Sequence, residues 1–280
     1  MIQFPRNAIV NIPAGALPDG QNFVSVRLDA GSRDIPNSKK IYGERLLNFE
    51  ITNGSYNDPF LLESLEGMRV RIHIGNDLSG IGAHVNNLGE MQPVFVISPD
   101  RDAVRKINFL TAFNFPVRID TSVPPETENS LEKALDFYLH NPLLTVPVEP
   151  FHTLLQTLGK SRGFNLWDIE MERVNVNFFI NNSGKITLSS RWNDKGLYYG
   201  GIDESWDEIA NSETFRILSS FKEMLFQKKS LCIFCSHFHP CEGFFRAVDS
   251  EWPCDAWKKV FSILVKEGRK AINLLKGRRA

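Results

Sequence analysis

The sequence predicts an α/β fold built on a parallel sheet, with a smaller cysteine-bearing region behind it. Three observations carry this. From about residue 68, short apolar strands alternate with amphipathic helices over short links, as in βαβ units. After residue 163 a two-stranded pattern closes on the turn Asn181-Asn182-Ser183-Gly184, where glycine supplies the positive φ. All four cysteines of the chain then fall between Leu231 and Trp257.

The elements follow in order. Residues 22–29 (NFVSVRLD) alternate enough to form a strand, and residues 47–52 suggest another. The first sixty residues otherwise carry little pattern. Residues 68–74 read as a strand, residues 75–89 with four glycines as a loop, and residues 92–98 as a buried strand. Ser98-Pro99-Asp100 predicts a helix start, with Val104, Ile107, Leu110 and Phe113 at helical spacing behind it. Strands over 115–121 and 143–148 and helices over 131–140 and 151–158 continue the alternation. The GKSRG run at 159–163 marks a boundary between a domain over 1–160 and one over 161–280. The hairpin over 174–180 and 185–190 opens the second domain, helical segments around Trp206 and over 214–228 follow, and an amphipathic helix closes the chain after Cys254. Periodicity alone allows either a partial barrel or an open doubly wound sheet in the first domain.

Composition narrows the function. Lys and Arg number 32 against 33 Asp and Glu, a net charge of -1, which gives no drive toward nucleic acid or a membrane surface. No apolar run reaches transmembrane length, and MIQFPRNAIV lacks a signal-peptide pattern, so a cytoplasmic location is expected. The run GNDLSGIG lacks the glycine and lysine positions of a nucleotide loop. Loops after parallel strands are where sites form, which makes Asn76, Asp77, Ser98, Asp100, Asp120, Thr121, Glu149 and His152 candidates. For Glu149 and His152 the plainer reading is a helix cap and a surface histidine.

The stronger signal is Cys232, Cys235, Cys241 and Cys254, spaced C-x2-C-x5-C-x12-C. A C-x2-C turn brings two thiolates to one metal, and two later cysteines complete a set of four. A disulfide pair fits a reducing compartment poorly. Buried inert thiols are the other alternative. Four thiolates serve zinc and an iron–sulfur cluster alike, so spacing leaves the metal open. His237 and His239 within the loop could replace a thiolate but read as exposed loop residues or outer donors.

The trio Cys232, Cys235, Cys241 with Gly243-Phe244 behind it, and one later cysteine before an amphipathic helix, resembles the C-terminal SPASM domain of radical SAM peptide maturases. The run YYGGIDESWDEIANSETFRILSSF resembles that family's segment between hairpin and cluster. The resemblance implies a degenerate radical-SAM-like (βα) barrel followed by a SPASM-like hairpin-and-helix domain. It implies one auxiliary [4Fe-4S] cluster on Cys232, Cys235, Cys241 and Cys254. Ser189 and Phe245 stand where the family's other auxiliary cluster takes cysteines, so that cluster is absent. No cysteine precedes Cys232, so the C-x3-C-x2-C cradle of the SAM cluster is absent too, and neither SAM binding nor independent radical chemistry is expected. The expected role is an accessory protein acting with a radical SAM partner or a precursor peptide. A zinc-stabilised α/β binding module is the alternative.

Overall fold

The computed structural model describes residues 4, 8–13, 23–28, 44, 46–51, 65, 67–157 and 163–277, with side chains of the last helix described to residue 270. Four strands come first: β1 (Ile9–Pro13), β2 (Phe23–Leu28), β3 (Leu46–Ile51) and β4 (Val70–Ile74). Two short helices, α1 (Ser79–Ala83) and α2 (Val85–Met91), stand where the glycines predict a loop. The Asp77 carboxylate accepts bonds from the Ser79 N–H and hydroxyl at 2.9 and 2.7 Å, which starts α1. Burial of Ile81, Leu88 and Met91 offsets the glycine cost.

β5 (Val94–Ile97) leads into α3 (Ala103–Ala112), which begins later than the Ser-Pro-Asp signal predicts. Asp100 is engaged elsewhere: it accepts from the Asp102 N–H at 2.9 Å and from the Lys106 ammonium at 2.6 Å. Lys106 is only 1% exposed, so the inward face of α3 carries a paired charge beside Ile107 and Leu110, while Phe113 turns outward. β6 (Val117–Ile119), α4 (Ser130–His140), β7 (Val148–Glu149), α5 (Phe151–Thr157) and α6 (Leu166–Ile169) follow. The predicted strand over 143–148 shrinks to its last residue plus Glu149, and Leu143 is exposed. Most of GKSRG lies outside the described residues.

The hairpin forms where predicted but with shorter strands than 174–180 and 185–190: β8 (Asn177–Ile180) pairs antiparallel with β9 (Lys185–Thr187), and Gly184 has φ +75°. Then come α7 (Ser190–Asp194), β10 (Gly200–Gly201), α8 (Trp206–Asn211), α9 (Glu213–Ser219) and α10 (Phe221–Gln227). A 3-10 turn (Leu231–Phe234), α11 (Phe238–Cys241), α12 (Phe244–Val248) and α13 (Asp255–Gly277) complete the chain. No helix among the described residues is long and apolar enough to cross a membrane.

Two compact units result, each drawn from two stretches: Met1–Val96 with Glu172–Phe221, and Ile97–Met171 with Lys222–Ala280. In the first unit the strand order is β10-β9-β8-β1-β2-β3-β4-β5. β1 pairs parallel with both β2 and β8, and the β2–β3 and β3–β4 pairs are parallel as well. Alternate side chains of β1 to β4 build the core: Val10, Ile12, Val24, Val26, Phe49, Ile51 and Ile72 are buried. The intervening positions carry polar groups that pair across the sheet. The His73 ring meets the Glu50 carboxylate at 2.7 Å, and the Arg27 guanidinium donates to the Ile180 carbonyl at 2.6 Å. Glu172 lies buried in this unit, gripped by Arg191 through Nε at 2.8 Å and its terminal nitrogen at 2.6 Å, with Ser189 Oγ and Trp192 Nε1 also donating.

In the second unit β6 and β7 pair parallel, and α13 packs on α4 and α5. Trp257, Val260, Phe261 and Leu264 form the buried stripe of α13, at the spacing the sequence predicts.

Candidate thiolate centre

The four cysteines lie in or directly beside the 3-10 turn, α11 and the start of α13, all in the second unit. Lys229 in the left-handed region ends α10, and the Ser230 N–H returns to the Leu225 carbonyl at 2.9 Å. The Ser230 hydroxyl accepts from the Cys232 N–H at 3.3 Å and so caps the 3-10 turn. The Cys235 N–H bonds the Cys232 carbonyl at 3.1 Å, which closes the C-x2-C knuckle. Cys241 ends α11. Cys254 directly precedes α13, its carbonyl accepting from the Lys258 N–H at 2.9 Å.

The turn after Cys241 is pinned from outside. Glu242 adopts φ +46° and Gly243 φ +77°, and only at the second does the sequence place glycine. Three groups hold Glu242 there: Asn165 Nδ2 and Lys222 Nζ reach its carboxylate at 3.0 and 2.7 Å, and Trp167 Nε1 reaches its carbonyl at 3.3 Å. With the turn so fixed, the backbone N–H groups of Gly243, Phe244 and Phe245 lie near enough to the Cys241 thiol to favour its ionised form. Consecutive N–H groups around one acceptor form a nest for an anion. Phe245 lies beneath, 1% exposed, its ring stacked on Trp252 and Trp257 with centroids 5.5 and 5.1 Å away.

Cys232, Cys235, Cys241 and Cys254 line one cavity of about 460 Å³, together with Arg246 and Lys258. Burial pushes the Cys241 thiol up to about 12, against the pull of its three N–H donors. Burial also raises Cys254, opposed by a hydrogen bond from the Arg246 side chain. Lys258 is close enough to act on Cys254 and Cys235, and its ammonium bonds Asp255 at 2.9 Å. His237 lines the same cavity with Nε2 3.0 Å from Ser262 Oγ, whereas His239 is exposed.

Among the described residues no three His, Cys, Asp or Glu side chains are grouped so as to hold a metal ion as they stand. The donor set nonetheless fits a thiolate-bound group. Four soft ligands share one cavity, with N–H donors and cations around them. Two polar atoms of cavity-lining residues, Arg246 Nε and Trp257 Nε1, are buried with no partner among the described residues. Buried donors of this kind need an acceptor.

None of the loop candidates lines that cavity, and Asp77, Asp100, Asp120 and Glu149 bond the turns that follow them. Asp120 Oδ1 accepts from the Ser122 N–H at 2.9 Å, and Thr121 is buried. Glu149 accepts from the Thr153 N–H and hydroxyl at 3.2 and 2.8 Å, which is the capping role. His152 Nδ1 meets the Tyr138 hydroxyl at 2.8 Å and its Nε2 meets Gln156 at 2.7 Å. Sequence reasoning missed Arg246, Lys258 and the N–H nest, since none is encoded in cysteine spacing.

Fold and centre together define an α/β protein with a four-thiol cavity. Compared with known proteins, the chain matches no family model, no curated protein and no solved structure.

Proposed function

We propose that this chain is an accessory SPASM-type iron–sulfur protein of a ribosomal peptide-modification system, acting in the cytoplasm. Cys232, Cys235, Cys241 and Cys254 would hold one [4Fe-4S] cluster, and a catalytic radical SAM protein or a precursor peptide would be the partner. The observation that carries this reading is the gathering of every cysteine of the chain on one cavity, which Arg246 and Lys258 also line. The parallel strands β1 to β4 are read as the remnant of a (βα) barrel, and the cysteine-bearing turns with α13 as the cluster-binding part of a SPASM-like region.

When bound, such a cluster supplies a one-electron carrier and a clamp between loops. The chain's own residues account for the rest. The Ser230 cap and the knuckle set Cys232 and Cys235, the pinned Glu242 turn sets Cys241, and the start of α13 sets Cys254. All four thiolates are committed to the site, which leaves no thiolate for a SAM cluster.

Anaerobic purification with iron, sulfide and zinc analysis and an absorbance spectrum tests the reading. About four irons and about four sulfides per chain are expected. Both should be lost together in Cys235→Ala. About one zinc and no colour would replace the electron carrier with a structural clamp. A gene neighbourhood holding neither a radical SAM enzyme nor a precursor peptide would count against the accessory role.

A further inference from the structure

We propose that Arg246 sets the redox level of the four-thiolate site by compensating negative charge on Cys254 and Cys232. This rests on the iron–sulfur reading above. Arg246 lines the same cavity as all four cysteines, with Cys254 and Cys232 within reach of its charge. Its Nε is buried without a partner among the described residues. A part-buried guanidinium lining the same cavity as the sulfurs acts through a lower effective dielectric than one in bulk water. Uptake of an electron by a cluster held on these thiolates would add one negative charge there. A fixed cation therefore stabilises the reduced state and raises the potential, since net charge and hydrogen bonds to sulfur set that quantity.

Lys258 is the competing cation, near Cys254 and Cys235. Its side chain is 47% exposed and held by Asp255 at 2.9 Å, so its field at the sulfurs is screened and partly cancelled. Cys241 draws on backbone N–H groups, which side-chain substitution leaves in place. Arg246 is thus the side chain whose replacement changes the charge at the site most without removing a ligand. It is a tuning residue, and its effect is read in a potential rather than in turnover.

The experiment is an anaerobic dithionite titration of the full chain, followed by absorbance and electron paramagnetic resonance, with iron and sulfide measured for each variant. Arg246→Gln is expected to keep its iron and to disfavour the reduced form by about tenfold, a fall of about 59 mV for one electron. Arg246→Lys, which keeps the charge, is expected near the wild-type midpoint, and Lys258→Gln to shift less than Arg246→Gln. An unmoved midpoint in Arg246→Gln overturns the proposal, as does an Arg246→Lys displaced equally far. Loss of iron in Arg246→Gln also overturns it, because Arg246 would then serve assembly. A wild-type protein carrying zinc and no iron removes the iron–sulfur reading itself, whereas an iron-loaded protein with an unmoved midpoint removes only the role of Arg246.

Discussion

Replacing Phe245 by alanine removes a ring that is 1% exposed and walled by three aromatic neighbours: Trp252, Trp257 and Phe244, with centroids 5.5, 5.1 and 5.3 Å away. Truncating a buried Phe to Ala costs about 3–5 kcal/mol, from lost transfer energy and the cavity left behind. The upper half of that range is expected here. Each aromatic pair is worth roughly 0.5–1.5 kcal/mol beyond its buried area. The tryptophans cannot refill the gap freely either, because Trp257 is fixed on α13 and also packs against Phe151 and Phe261. With a urea slope of about 1–3 kcal/mol/M, the midpoint should fall by about 1 M or more. The assay is equilibrium urea unfolding of the protein as purified, followed by tryptophan fluorescence, with Phe245→Leu as companion. The leucine variant should lose less than half as much. A loss under about 1 kcal/mol for Phe245→Ala would match a surface position and refute the claim that this ring floors the cavity.

Two further outcomes follow from the first unit. Arg191→Met strands the Glu172 carboxylate at a position where both partners are buried, and breaking such a pair costs about 3–5 kcal/mol. Arg191→Met/Glu172→Met should recover most of that loss in thermal denaturation, and a double variant no more stable than the single would refute the ion-pair account. Glu50 gives a pH signature: burial alone would raise its carboxyl, but the hydrogen bond and charge of His73, with Arg71 and Arg27, hold it below its ordinary 4.5. A depressed value stabilises the fold above the unfolded pKa, and that contribution is lost as pH falls through the folded one. The melting temperature of Glu50→Gln should therefore fall less steeply than that of wild type below about pH 4.5, and parallel curves would show that Glu50 is not responsible.

Much of this molecule was legible before its structure, where the signal is local. The strand over 22–29 appears as Phe23–Leu28, the hairpin closes on Gly184, and α13 buries the stripe that its periodicity marks. What escaped depends on partners remote in sequence. Ile9–Pro13 is too short to announce itself and becomes a strand because β2 and β8 flank it. Residues 75–89 carry loop-like glycines, yet three buried apolar side chains at helical spacing prevail over them. The Ser-Pro-Asp signal mislocates the start of α3 because Asp100 is engaged by Lys106, a lysine no pattern would bury. At the thiolate centre the ligand types were readable from spacing, whereas Arg246 and the N–H nest arise from how the Glu242 turn is pinned.

The pairing of β1 with β8 has a consequence for the birth of the chain on the ribosome. Asn11 donates to the Phe178 carbonyl across a separation of 167 residues. At about 5–20 residues per second, the partner emerges roughly 8 to 33 s after β1 does. Through that interval one edge of an apolar parallel strand waits unsatisfied, the condition under which nascent chains pair with one another. Because each unit is drawn from two stretches, cutting the gene near residue 160 divides both units rather than separating them. The chain is therefore expected to be more sensitive to premature termination in its second half than to missense changes there.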